Sequence, residues 1–227
     1  MTARDLKTGQ WLRDDNFDQF YFDEIDTEQK AYWLGFLYAD GNITDRGILQ
    51  LGLGSKDLSH IEEFRLALHS QRKIHSYVKK DKYNSRTIFS IQHFSSHMAI
   101  ALQRNGIVPR KTKIITMPQL DFILQPHFFR GYFDGDGSVF QTKSDVKKPY
   151  QKLTLNIIGN IHFVNQMQDM LIEHLGVNKT KLNIPKHSPE MAYMIYSGTP
   201  QVKRIASWMY HDATIWLPRK RERFNIE

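Results

Sequence analysis

The chain has 227 residues, 41% of them hydrophobic and 14 of them phenylalanine, enough apolar mass for one large core or two small ones. Its formal charge of +7 and pI of about 9.4 favour an acidic partner such as nucleic acid. It has no cysteine, which excludes disulfides, zinc–thiolate sites, a Cys nucleophile and a cysteine-dependent splicing module. No apolar run reaches the roughly 18 residues of a membrane span and no signal-peptide core opens the chain, so an intracellular soluble protein is expected.

Residues 1–24 read as an N-terminal extension, with Asp14, Asp15, Asp18, Asp23 and Glu24 among Trp11, Phe17, Phe20, Tyr21 and Phe22, aromatics able to pack on the body. Asp26, with Gln29 three residues later, is the expected N-cap of a long helix running to Asp40. Past Gly41 the period changes to two. A hairpin at 42–47 leads to Leu49, Leu51 and Leu53 alternating with Gln50, Gly52 and Gly54, a strand with one buried face. A second helix opens at Ser55 and runs through Leu68. Residues 72–94 read as two strands about the basic tip Lys79-Lys80-Asp81-Lys82, and a helix over 96–105 stops at Gly106. Residues 25–112 therefore spell helix, strand, strand, helix, strand, strand, helix.

The segment 113–125 carries Pro118 and lacks long periodicity, as a linker would. The same order then recurs over 126–227: a helix to Asp136, strands near 138–142 and 151–158, a helix over 161–175 ending at Gly176, strands near 179–184 and 192–196, and a helix from about 200 to 210. The expected fold class is α+β: two pseudo-symmetric αββαββα units, each burying one sheet face and leaving the other open.

The repeat is sharpest at two stretches, Trp33-Leu-Gly-Phe-Leu-Tyr-Ala-Asp-Gly41 and Phe129-Arg-Gly-Tyr-Phe-Asp-Gly-Asp-Gly137, whose last aspartates are 136 − 40 = 96 residues apart. Both read as buried helices. Gly35 and Ala39, like Gly131 and Gly135, share one helix face, and small residues at that spacing let two backbones approach closely. A glycine inside a helix costs about 1 kcal/mol relative to alanine and so asks for a packing reason. Gly41 and Gly137 occupy the position of a C-cap glycine, which puts Asp40 and Asp136 in the last helical turn, where the dipole disfavours a carboxylate. Were the helices to pack side by side, the two carboxylates would need a cation, and a hard divalent ion such as magnesium would supply it.

These two stretches resemble the LAGLIDADG motifs of homing endonucleases. The second, Gly131-Tyr-Phe-Asp-Gly-Asp-Gly137, is a close match; the first has Tyr38 where the family often has an acidic residue. The resemblance spans residues 25–227. It implies that the motif helices lie at the interface of two similar units whose antiparallel sheets form a saddle, and that one chain acts as a monomer on double-stranded DNA. It implies that Asp40 and Asp136, with Ala39 and Gly135 beside them, hold metal at the scissile phosphates. The expected ion is Mg2+, with Mn2+ able to substitute and Ca2+ binding without turnover. The product would be a double-strand break across the minor groove with short 3′ overhangs.

Strand-borne side chains can read the major groove. The candidates are Gln50, His75, Tyr77, Lys79, Arg86 and Gln92 in the first unit, and Lys143, Lys152, Thr154, Asn156, Lys181 and Asn183 in the second. Each alone reads as a solvated sheet-face residue; as a group they suit base edges, with Gln and Asn matched to adenine and Arg or Lys to guanine. Lys80, Lys82, Lys147 and Lys148 suit phosphates. A second repeated element, Val108-Pro-Arg-Lys111 and Leu217-Pro-Arg-Lys220, follows the last helix of each unit. In the family, basic residues near the acidic pair assist catalysis, which points to Lys111 and Lys220, with Lys113, Arg110 and Arg219 as near alternatives. Phosphate contact or a charged domain edge explains the same residues equally well.

Among ten histidines no pair has metal-ligand spacing on a helix, and no Walker loop or GxSxG elbow is present. The remaining readings are a maturase binding intron RNA and a DNA-binding protein that does not cleave. Retention of both aspartates favours the nuclease. A mobile-element nuclease of this kind belongs inside a bacterium, a phage-infected cell or an organelle.

Overall fold

Residues 3–4, 11–12, 17–81, 84–110, 114–143 and 151–226 are described by the structure, a computed structural model. Helix α1, Glu28–Asp40, has every side chain from Ala31 to Tyr38 buried. A helix apolar on all sides must be covered on all sides. Thr27 caps it: its hydroxyl accepts from the Lys30 amide at 3.3 Å and its carbonyl from Ala31 at 3.0 Å. Asp26, the expected cap, lies one residue too early for the helix start and pairs instead with the Lys30 ammonium at 2.8 Å.

The chain divides into two compact units, one of Met1–Ile25 with Asp40–Arg110, the other of Asp26–Ala39 with Lys111–Glu227. The body of α1 thus belongs to the second unit, although in sequence it lies between the two segments of the first.

In the first unit a two-residue pairing of β1, Ala3–Arg4, with β2, Trp11–Leu12, precedes the main sheet. That sheet is built from β3 (Gly41–Ile43), β4 (Ile48–Gly54), β5 (His75–Lys80) and β6 (Ser85–Phe94), in the antiparallel order β3-β4-β6-β5. Leu49, Leu51, Leu53 and Ile91 bury one face under α2 (Leu58–Ala67) and α3 (Ser96–Arg104). Residues 17–24 pack here through their aromatics; the side chain of Trp11 lies outside the described residues. Phe22 is fully buried, Phe17 stacks on His93 at 4.5 Å, and Asp23 accepts from His97 at 2.8 Å.

In the second unit α4 (Gln125–Asp136) leads into β7 (Gly137–Lys143) and β8 (Gln151–Asn160), then α5 (Ile161–Leu175), β9 (Met191–Ser197), α6 (Thr199–Tyr210) and a short α7 (Pro218–Arg221). Val139, Leu155, Ile157, Met194 and Tyr196 bury one face of the β7-β8-β9 sheet. The strand expected at 179–184 reduces to one antiparallel bridge between Asn183 and Tyr193. Pro185, two residues on, has no N–H to extend the ladder.

Candidate nucleic-acid and metal site

The packing of α1 on α4 explains the motif glycines. A methyl group at Gly35 would collide with the Phe128 carbonyl, and one at Gly131 with the Tyr32 carbonyl. The helices therefore cross backbone to backbone inside the second unit. Each runs the same number of residues from its crossing glycine to its aspartate (40 − 35 = 5 and 136 − 131 = 5), a rise of about 7.5 Å. Asp40 and Asp136 are the last residues of α1 and α4, and both are exposed. Ala39 and Gly135, just before them, are half-buried.

The glycines after the aspartates do a different job from the one expected. Gly41 and Gly137 are not left-handed helix caps; Gly137 is extended, at φ −83° and ψ 162°. Gly137 is needed for space: a Cβ there would strike the Phe133 ring and carbonyl. The helix thus turns directly into a strand, and the aspartate stands at the corner between them.

That corner of α4 is held by residues the sequence did not single out. Arg130 is fully buried. Its guanidinium donates to Glu28 at 2.6 Å, to the carbonyls of Ile215 and Met209, and lies over the Tyr32 ring. Glu28 in turn accepts from the amide and hydroxyl of Thr214 at 2.7 and 2.8 Å. Burial lowers the Arg130 pKa from its ordinary value, against the opposing pull of Glu28. Asp134, also buried, accepts from the Tyr32 hydroxyl at 2.8 Å and the Leu217 amide at 2.7 Å. Burial first, then this carboxylate, raises the Tyr32 pKa and keeps it a donor. The available signal was two charges four residues apart, Arg130 and Asp134, on either side of the apolar motif residues Tyr132 and Phe133.

Lys220, a candidate catalytic residue, is 6% exposed. Its ammonium donates to the carbonyls of Phe133, Gly135 and Gly137 at 2.8, 2.9 and 2.7 Å, on both sides of Asp136. Arg219 beside it is exposed. Arg110 pairs with Asp45 at 3.1 Å on the surface of the first unit. Lys111 and Lys113 lie outside the described residues, as do Lys82, Lys147 and Lys148. Among the described residues no group of three or more His, Asp or Glu side chains converges as a metal cage would.

On the first sheet, register brings the candidates together. Gln50 pairs with Gln92, His75 with Ser90, Tyr77 with Ile88 and Lys79 with Arg86, and all share the face opposite Leu49, Leu51 and Leu53. His75, Tyr77, Lys79, Lys80, Arg86 and Gln92 are exposed and Gln50 half-exposed; Asn42, opposite Gln50, extends the row. On the second sheet Lys152, Thr154 and Asn156 share a face, joined in register by Ser138, Phe140 and Thr142. Lys143 falls out of step with them: it pairs with Gln151, one residue off that alternation. The expectation that it joins them fails because Lys143 follows the core residue Val139 by an even step along β7 and so keeps the parity of Val139, not that of Ser138, Phe140 and Thr142. Thr154 is buried in a hydroxyl ladder, 3.0 Å from Thr142 Oγ1 and 2.8 Å from Ser197 Oγ. Lys181 and Asn183 are exposed, Asn183 at its bridge to Tyr193.

No family model matches the sequence, and no curated protein matches it either. Solved structures do match. The I-SmaMI LAGLIDADG homing endonuclease bound to cleaved DNA is 16% identical, with a TM-score of 0.55 over 85% of this chain and 85% of that one. The LAGLIDADG meganuclease I-AabMI bound to uncleaved DNA is 13% identical, with a TM-score of 0.52 over 84% and 86%. I-SmaMI bound to its uncleaved target in the presence of calcium ions is 16% identical, with a TM-score of 0.52 over 82% and 84%. At such identity the likeness is one of architecture: this chain has the fold of the LAGLIDADG homing endonucleases.

Proposed function

We propose that the protein is a site-specific, divalent-metal-dependent endonuclease of double-stranded DNA. The observation that carries this reading is the pair of helices crossing at Gly35 and Gly131, each delivering an exposed aspartate after the same number of residues. A buried crossing that ends in two acidic corners has no purpose in a protein that only binds a polyanion, because each carboxylate repels phosphate. The solved relatives on DNA, one of them with calcium present, lend support.

Asp40 and Asp136 would hold the metal, with the main-chain oxygens of Ala39 and Gly135 nearby. Their donors are all hard oxygens, which suits Mg2+ or Mn2+, and Mg2+ commonly takes one or two carboxylates plus substrate phosphates rather than a full protein cage. A bound ion of this kind supplies an activated water and neutralises charge on the attacking and leaving oxygens. The protein's own part is to present one carboxylate to each strand, so that a single monomer severs both and leaves short 3′ overhangs. Lys220 sets a fixed positive charge beside Asp136. The open sheet faces, with Gln50, Gln92, Arg86 and Lys79 on the first and Lys152 and Asn156 on the second, would read the target, and Lys80 would meet its backbone.

The test is cleavage of a randomised duplex library with Mg2+, compared with EDTA and with Asp136→Asn. Cut ends enriched about one long sequence, and lost in both controls, are expected. DNA retained specifically but never cut in Mg2+ or Mn2+ would refute the nuclease and leave the non-cleaving reading; intron RNA would be the next ligand.

A further inference from the structure

The cleavage scheme uses the last aspartate of the second motif and leaves Asp134, two residues earlier, without a role. Yet Asp134 is 1% exposed and connected at both ends of a short path. Its Oδ2 accepts the Leu217 amide at 2.7 Å and the Tyr32 hydroxyl at 2.8 Å. Leu217 is the residue from which α7 starts, with Pro218 at its first position. Three residues on, Lys220 returns to α4 and donates to the carbonyls of 133, 135 and 137. One carboxylate fixes where the turn begins, and three carbonyls fix where its ammonium ends.

The first motif is built differently. The residue 96 positions before Asp134 is Tyr38, whose hydroxyl donates to the Thr116 carbonyl at 3.2 Å. It supplies no carboxylate to dock a following segment. The asymmetry lies in the same motif position that otherwise repeats closely.

We infer that Asp134 is a positioning residue for cleavage: by docking the Leu217–Lys220 turn it holds the Lys220 ammonium beside Asp136, so that one of the two strand-cutting positions depends on it and the other does not. This rests on the endonuclease reading, and its test separates the two.

The full chain is compared with Asp134→Ala, Asp134→Asn and Lys220→Met. The first measurement needs no DNA. Lysines are acylated with an amine-reactive ester and read by peptide mass spectrometry. Lys220 should react slowly in the wild type and in Asp134→Asn, which keeps an acceptor for Leu217. In Asp134→Ala it should react as fast as exposed Lys181, with the other lysines unchanged. Should the alanine variant unfold, seen as fast labelling throughout, Asp134→Leu fills the space without an acceptor and replaces it. The second measurement follows each strand of the target separately at saturating DNA. Asp134→Ala and Lys220→Met should slow the same single strand, by up to about 100-fold as misplacement of a positioned group does, so that nicked duplex accumulates, while Asp134→Asn cuts both. Unchanged Lys220 labelling in a folded variant lacking the acceptor, or equal slowing of both strands, overturns the inference. A wild-type protein that cuts no duplex overturns the endonuclease reading instead, and the labelling still decides whether Asp134 holds Lys220.

Discussion

Single residues carry the sharpest constraints. Gly35 and Gly131 are fixed by carbonyls facing them across the crossing, whereas a Cβ at Gly54 meets nothing within 4 Å. Gly35→Ala or Gly131→Ala should therefore cost about 1–3 kcal/mol or more, the usual penalty of overpacking, while Gly54→Ala should be near neutral. Urea unfolding of the three variants decides the matter, and a well-tolerated Gly35→Ala would show that the helices can separate. Arg130→Met should cost about 3–5 kcal/mol, since it leaves Glu28 part-buried without its cation. The same cluster sets a pH dependence. His127 is half-buried beside Arg130, and burial, then that cation, lowers its folded pKa below the ordinary 6.5. The unfolded chain thus binds a proton at this site that the folded chain refuses. Stability from this site is present above about pH 6.5 and is lost as pH falls below it. His127→Gln should flatten that part of the curve of melting temperature against pH; an identical slope in the variant would clear His127 of the effect.

At the scale of elements, local pattern was a good guide and long-range pairing was not. The alternation of Leu49, Leu51 and Leu53 and the stop at Gly176 gave β4 and α5 nearly to the residue, because one buried face and one left-handed cap are local facts. The bond between Arg130 and Glu28, 102 residues apart, leaves no local trace beyond a charge where none belongs. The parity of Lys143 was local too, set by its even step from Val139, whereas the loss of a strand at 179–184 turned on where Pro185 lay relative to its partner strand. Caps are local again. Ser95 accepts the Met98 amide at 3.1 Å at the start of α3 and donates to Gln19 at 3.1 Å. Ser95→Ala should cost about 1 kcal/mol, plus some loosening of the 17–25 segment. Thermal melts check the first expectation and amide exchange at Gln19 the second; a melt identical to wild type would mean the cap contributes nothing.

For the whole molecule the net charge of +7 makes an ionic prediction. If the open sheet faces meet about 6–10 phosphates, affinity should fall about 10³- to 10⁵-fold between about 50 and 200 mM salt. Fluorescence anisotropy on a labelled duplex measures this, and a flat salt dependence would rule out a phosphate-tracking surface. Light scattering of the complex should give one chain per duplex.

The assignment of α1 to the second unit has a consequence for the chain while it is being made. Its residues from Ala31 to Tyr38 have no water-facing side, and their partners in α4 and beyond are translated roughly a hundred residues later. At ribosomal speeds of about 5–20 residues per second, that is a wait of about 5–20 s for a helix whose central two turns are apolar on every side. Nascent chains arrested before α4 emerges should recruit a chaperone that recognises hydrophobic segments, and chains arrested after α6 emerges should release it. Cross-linking to such a chaperone along a series of arrest points would time the closure of the helix pair on the ribosome.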